Sequence, residues 1–111
     1  MAIQIYAGKG FDTQKAERFF KERRVSVQKI DTLKFGISRR ELESVRAAVG
    51  MEALIDRECK AFLESPVRFS LEEERVFEYA LENSKILKLP IVRNGKLATV
   101  GYQPDVWKDW I

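Results

Sequence analysis

Histidine is absent from this 111-residue chain, and cysteine occurs once, at Cys59. A single thiol forms no internal disulfide. Without histidine, neither a Cys/His zinc site nor Ser-His-Asp or Cys-His catalysis is open to the protein. Long apolar runs are missing too: no stretch approaches the roughly 20 apolar residues of a membrane-spanning helix, and no basic region leads into an apolar signal core at the start. Internal repeats and low-complexity linkers are equally absent. Charge of one sign is barely in excess, with 20 Lys plus Arg against 17 Asp plus Glu. The resulting net charge of +3 aids solubility without indicating nucleic acid. What is there, 45% apolar residues in a chain of this length, fits one globular domain over residues 1–111. Such a domain buries roughly two-thirds of its unfolded surface and needs no disulfide or structural metal. The expected setting is cytoplasmic, where a lone thiol stays reduced.

Periodicity orders the chain. Ile3 to Ala7 reads as a short strand closed by Gly8, Lys9 and Gly10. A helix follows, capped by Asp12 or Thr13, with Ala16, Phe19 and Phe20 as its apolar stripe. Val25, Val27 and Ile30 alternate as a strand up to Asp31, and this strand-helix-strand unit has the length of a right-handed parallel crossover. Ser38 with Glu41 forms a capping box for a helix carrying Leu42, Val45 and Val49 and ending at Gly50. Leu54/Ile55, Cys59 and Phe62/Leu63, at steps of four, predict a second helix ending before Pro66. Ser70 with Glu73 predicts a third, its stripe being Leu71, Val76, Phe77, Ala80 and Leu81. Pro90 to Val92 then reads as a strand, Asn94-Gly95 as a type I′ turn, and Leu97 to Tyr102 as the return strand. Pro104 opens a last helix whose Val106, Trp107, Trp110 and Ile111 can fold onto the sheet.

The order β-α-β, helical insertion at about residues 38–84, β-hairpin, α is that of an α/β thioredoxin-like sandwich with a small mixed four-stranded sheet. Particular motifs sharpen this. Ile5-Tyr6, then Lys9-Gly10-Phe11-Asp12-Thr13, then Lys15-Ala16 resembles the opening of the arsenate reductase ArsC/Spx family, usually Ile-Tyr, a short loop, Asn-Cys-Asp-Thr, a basic pair and Ala. The segment from Ile86 to Val92 resembles that family's Leu-Ile-Lys-Arg-Pro-Ile-Val, and Asn94-Gly95-Lys96 with Val100-Gly101-Tyr102 resembles its ending.

The resemblance implies a site as well as a fold. In the family a loop cysteine attacks the oxyanion or a partner thiol, and the helix N-terminus beside it favours the thiolate. Its place falls here on Phe11 or Gly10, next to Asp12. The second cysteine of redox-pair members falls on Gln14 or Thr13, and the arginine before the proline is Leu89, with Pro90 retained and expected cis. No catalytic residue is therefore assigned. The implied function is a noncatalytic binding or regulatory protein whose contact, by resemblance to Spx, is the RNA polymerase α subunit. That contact would use Arg39, Arg40, Arg46 and Gly50 in the insertion. The alternative is an atypical arsenate reductase-like thiol oxidoreductase using Cys59 or an external thiol such as glutathione. No cofactor, metal or membrane is otherwise called for.

Three residue groups carry two readings each. Cys59 lies on an apolar stripe and reads first as a packed thiol; beside Arg57 or Lys60 it would instead be a reactive one. Gly8-Lys9-Gly10 reads as a strand-to-helix turn, while Lys9 and Lys15 around free N–H groups would make a weak anion site. Basic residues of the first helix and the insertion interleave with Glu17, Glu22, Glu41 and Glu43. That pattern favours a solvated mixed-charge face over direct nucleic-acid binding.

Overall fold

The computed structural model describes residues 3–111; Met1 and Ala2, which the sequence reading placed within the domain, lie outside the described residues. Strand β1 (Ile3–Ala7) sends Ile3, Ile5 and Ala7 to one face and Tyr6 to the other. Helix α1 (Phe11–Glu22) starts earlier than its cap candidates suggested. Gly10 is the cap, at a φ of 116° that a side chain would resist. Thr13 is buried inside the first turn, where its hydroxyl accepts a hydrogen bond from the Gly8 N–H at 3.1 Å. A residue that reads as a cap thus ties the preceding loop. The helix ends in paired reverse bonds, Arg24 N–H to Lys21 O and Val25 N–H to Phe20 O, with Arg24 left-handed at φ 57°.

Strand β2 (Val27–Asp31) runs parallel to β1, Ile3 opposite Val27 and Ala7 opposite Asp31. The single-turn helix α2 (Thr32–Phe35) was not expected from periodicity; the Asp31 carboxylate caps it, accepting from the Lys34 N–H at 3.3 Å. Helix α3 (Arg39–Val49) carries the capping box as read: Ser38 Oγ accepts from the Glu41 N–H at 3.2 Å and donates to its carboxylate at 2.8 Å.

The second insertion helix is not continuous. Helix α4 (Met51–Leu54) and helix α5 (Lys60–Leu63) are single turns separated by a bridge residue, Ile55, and a turn at Arg57-Glu58. The backbone between them is taken by a distant partner. Ile55 bridges Leu87, the Asp56 N–H donates to Ile86 O, and the Lys88 N–H donates to Leu54 O, both at 2.9 Å. Groups that a helix would use internally therefore serve a long-range pairing, and Leu63 is left 55% exposed.

Helix α6 (Glu73–Glu82) also departs from its expected start. The Ser70 hydroxyl accepts from the Glu72 N–H at 3.2 Å, two residues on instead of three, so the turn closes before the helix and Leu71 is fully solvated. Val76, Phe77 and Ala80 are buried as the stripe predicts.

Strand β3 (Ile91–Asn94) pairs antiparallel with β1 and with strand β4 (Leu97–Val100), giving one mixed sheet in the order β2-β1-β3-β4. Asn94 pairs with Leu97, so the turn is Gly95-Lys96. Only Gly95, at φ 62°, has the positive φ of a first central position, which fits a type II′ turn and not type I′. The return strand stops at Val100, short of Tyr102. The Gly101 N–H turns to Pro90 O at 2.9 Å, and the Leu89–Pro90 peptide is cis.

Two cores flank the sheet. One gathers Tyr6, Ile91 and Val100 with the helices of the insertion. The other gathers Ile3, Ile5 and Val92 with Ala16, Phe19 and Phe20 of α1 and Trp107 of helix α7 (Pro104–Trp107). Trp107 Nε1 donates to Thr99 Oγ1 at 2.7 Å, and the ring meets Phe19 and Phe20 at centroid distances of 5.4 and 5.2 Å. After one α turn the chain tightens into a 3₁₀ turn at Lys108–Trp110. Trp110 packs on this core, but Val106 and Ile111 remain exposed.

Candidate functional site

The loop Gly8-Lys9-Gly10 leaves β1 at its carboxyl end and delivers the N-terminus of α1, so the exposed residues among positions 9–14 are presented at the end of the sheet where β1 finishes. Phe11 is the first helical residue and is 77% exposed, its ring outside both cores. Asp12 and Gln14 are exposed beside it, and no side chain caps the first turn.

Leu89, immediately before the cis peptide, reaches this loop from the far side. A Cβ placed on Gly8 would stand 2.7 Å from Leu89 Cβ and 2.8 Å from its Cδ1, so the leucine lies directly on the loop backbone. Between them and the insertion is an open cleft of about 300 Å³, lined by Gly8, Lys9, Leu33, Asp56, Lys85 and Leu89 among others. It offers two ammonium groups, one carboxylate and apolar walls. It presents no thiol or imidazole for covalent chemistry.

The other candidate residues are scattered. Lys9 borders this cleft, whereas the Lys15 ammonium lies over the Tyr102 ring at 5.6 Å, beside a different cleft near Pro104. The two lysines are not brought together. Cys59 is the residue before α5, half-buried, with its thiol 3.6 Å from the Lys85 carbonyl oxygen, and it lines neither cleft adjoining the loop.

In the insertion, Arg39 pairs with Glu78 and, at 3.9 Å, with Glu43. Arg46 pairs with Glu74 at 2.8 Å and stacks over Phe77 at 4.3 Å. These two arginines bind α3 to α6. Arg40 is exposed, as is Gly50, which closes α3 at φ 85°.

A polar network that sequence reading missed fastens α3 to the sheet. The Tyr6 hydroxyl donates to the Glu41 carboxylate, Arg93 Nη1 lies 3.6 Å from the same carboxylate, and Arg93 also donates to Gln4 Oε1 at 3.0 Å. Burial, reinforced by the hydrogen bond to Glu41, pushes the Tyr6 phenol up to about 12. Burial alone would raise Glu41, but hydrogen bonds from Tyr6 and Ser38 and the charge of Arg93 outweigh it and hold the carboxyl below its usual range. Only the capping box signalled Glu41 in advance; its partners are 35 and 52 positions away and carry no local pattern. Among the described residues, no group of three or more His, Cys, Asp or Glu side chains is placed to hold a metal, and no helix is long and apolar enough to cross a membrane.

The mixed sheet, the cis-proline segment facing the loop before α1 and the helical insertion define a protein of thioredoxin-like fold. The chain belongs to the ArsC family, whose model matches residues 11–110. It is 28% identical over 110 residues to the global transcriptional regulator Spx 2 of Oceanobacillus iheyensis, covering 95% of this chain and 80% of that protein. Among solved structures it is similar to the YffB protein, with TM-score 0.85, 25% identity and 96% of each chain covered. The arsenate reductase from Vibrio cholerae superposes with TM-score 0.86 at 20% identity, covering 100% of this chain and 98% of that one, a likeness of fold.

Proposed function

We propose that this ArsC-family protein is a noncatalytic binding or regulatory protein of the cytoplasm, working without a cofactor. The observation that carries this reading is the loop itself. An exposed phenylalanine opens α1 where the family resemblance places the nucleophile, and Leu89 lies on the same loop where it places the oxyanion arginine. Neither side chain forms a covalent arsenic or mixed-disulfide intermediate or neutralises an oxyanion. Cys59, which turns its thiol to the Lys85 carbonyl and does not itself line the clefts beside the loop, is no replacement in this reading.

The test is arsenate reduction by the purified protein with glutathione and glutaredoxin, or with thioredoxin. The expected result is no turnover above a protein-free blank. Turnover that vanishes in Cys59→Ala would replace this reading with an atypical thiol reductase using that cysteine, with glutathione as its external thiol.

The likeness to a transcriptional regulator supports a protein partner, the RNA polymerase α subunit. Since Arg39 and Arg46 are engaged with α6, the contact centres on Arg40 and Gly50. Purified α subunit should bind the wild type at low salt and bind both Arg40→Glu and Gly50→Arg at least about tenfold more weakly, the first leaving the φ 85° backbone of Gly50 untouched. Equal binding by all three would discard this interface.

A further inference from the structure

Helix α2 stands between two clefts that the reading above does not use. One, of about 580 Å³, lies at the carboxyl ends of the parallel strands β1 and β2 and is bordered by Lys9, Lys29, Asp31, Lys34 and Phe35 among others. The other, of about 530 Å³, shares Leu33, Lys34 and Phe35 with it and extends to Tyr79 and Leu81 of α6. Open α/β sheets take ligands in the crevice outside the carboxyl ends of their strands. Here that crevice has an apolar ridge, Phe35, with 72% of its surface exposed.

Charge at this corner is unequal. The two clefts are bordered by Lys9, Lys29, Lys34 and Lys85 against Asp31 and Glu82; Lys29 pairs with Glu17 at 2.7 Å, and Asp31 caps α2. Lys9 and Lys34 have no ion-pair partner among the described residues. The strand alongside is open as well: β2 is bonded to β1 on one side, and among the described residues no strand pairs with its other edge.

We propose that the β2–α2 corner docks an extended acidic segment of a partner protein. The segment adds as a strand to the free edge of β2, seats an apolar side chain against Phe35 and Leu33, and sets carboxylates near Lys9 and Lys34. Edge backbone groups supply main-chain hydrogen bonds to such a segment, and alternate side chains supply the selection. The two unpaired lysines favour an acidic segment over a basic one.

The probe is a fluorescein-labelled, end-blocked octapeptide alternating aspartate with leucine, titrated into the full chain at about 50 mM and about 300 mM salt, with amide shifts read in parallel. Saturable binding is expected, with shifts concentrated at residues 27–36 and weaker binding at the higher salt. Lys34→Glu and Phe35→Ala, both solvent-exposed changes that should leave the thermal midpoint in place, should each weaken it about tenfold or more. Methylating one alternate set of peptide nitrogens should abolish it, while methylating the other set should leave it in place. No binding by about 1 mM, equal binding of a lysine-for-aspartate peptide, unchanged affinity in both variants, or indifference to N-methylation would each overturn the proposal. Preferential binding of oligothymidylate at the same amides would do so in favour of a single-stranded nucleic-acid site. The inference rests on the binding-protein reading, yet the two fail separately: arsenate turnover would end that reading without moving peptide affinity, and lost peptide binding would leave it standing.

Discussion

Removing one oxygen atom, in Tyr6→Phe, tests the network that joins α3 to the sheet. The ring keeps its place in the core, while the Glu41 carboxylate loses a donor in a half-buried position. A hydrogen bond to a charged group contributes about 1.5–3 kcal/mol. Because Glu41 keeps Ser38 and Arg93, the expected loss at pH 7 is at the low end, about 1.5 kcal/mol. The alkaline limb discriminates further. The Tyr6 phenol is raised to about 12 in the folded protein, by burial first and by Glu41 second. A group raised on folding contributes stability fully present below its unfolded value, about 10, and lost as pH climbs through the folded value. Two pH units set a ceiling of about 2.7 kcal/mol, and solvent screening at the hydroxyl end lowers it to about 1–2 kcal/mol. The advantage of wild type over Tyr6→Phe should therefore be level between pH 7 and 9 and shrink by that amount between pH 10 and 12. Urea unfolding followed by far-ultraviolet circular dichroism reads this directly, and titrating lysines cancel in the difference because both proteins share them. Curves that stay parallel to pH 12, or a variant as stable as wild type at pH 7, would refute the reasoning.

Other perturbations test single positions. Arg24→Gly should raise stability by about 0.5–1 kcal/mol, seen as a higher thermal midpoint, because Arg24 holds a left-handed conformation that glycine adopts freely. Gly8→Ala should cost about 1–3 kcal/mol in urea unfolding, since its Cβ would meet Leu89. Adding Leu89→Ala should give only partial relief, because the leucine Cβ is itself one of the obstructing atoms. Cys59 should react with a thiol reagent more slowly in the native protein than in denaturant, the residue being half-buried with its thiol turned to the Lys85 carbonyl; fast native labelling at neutral pH would reopen the thiol-reductase alternative.

Much of the site was legible where chemistry is carried by residue identity at one place. The loop before α1 shows Phe11 without further information, and the segment before Pro90 shows Leu89. That Leu89 lies on Gly8 was not legible, since nothing in either segment announces the other. Nor was the commitment of Arg39 and Arg46 to α6: three arginines in a helix read alike until their neighbours are known. The corner at Phe35 escaped notice for a related reason. Thr32 to Phe35 is too short to show a period, and its helix exists because the Asp31 carboxylate caps it.

By itself the sequence determined whatever depends on neighbours within a turn or a strand: the buried stripes of α1, α3 and α6, the Ser38–Glu41 box, the hairpin and the exclusion of histidine chemistry. A side-chain period of two or 3.6 is a local property, and burial of one face follows from it. Tertiary structure decided whatever required two distant segments to compete for the same groups. Leu54 to Asp56 have a helical stripe, yet their backbone donors and acceptors are claimed by Ile86 to Lys88, so the helix breaks and Cys59 is left at a turn. Thr13 and Ser70 look like caps, but each hydroxyl accepts from an amide outside its helix, Gly8 and Glu72 respectively, and the helix boundaries move accordingly. Every backbone N–H and C=O must find a partner, and only the folded chain fixes which of several candidates is in reach.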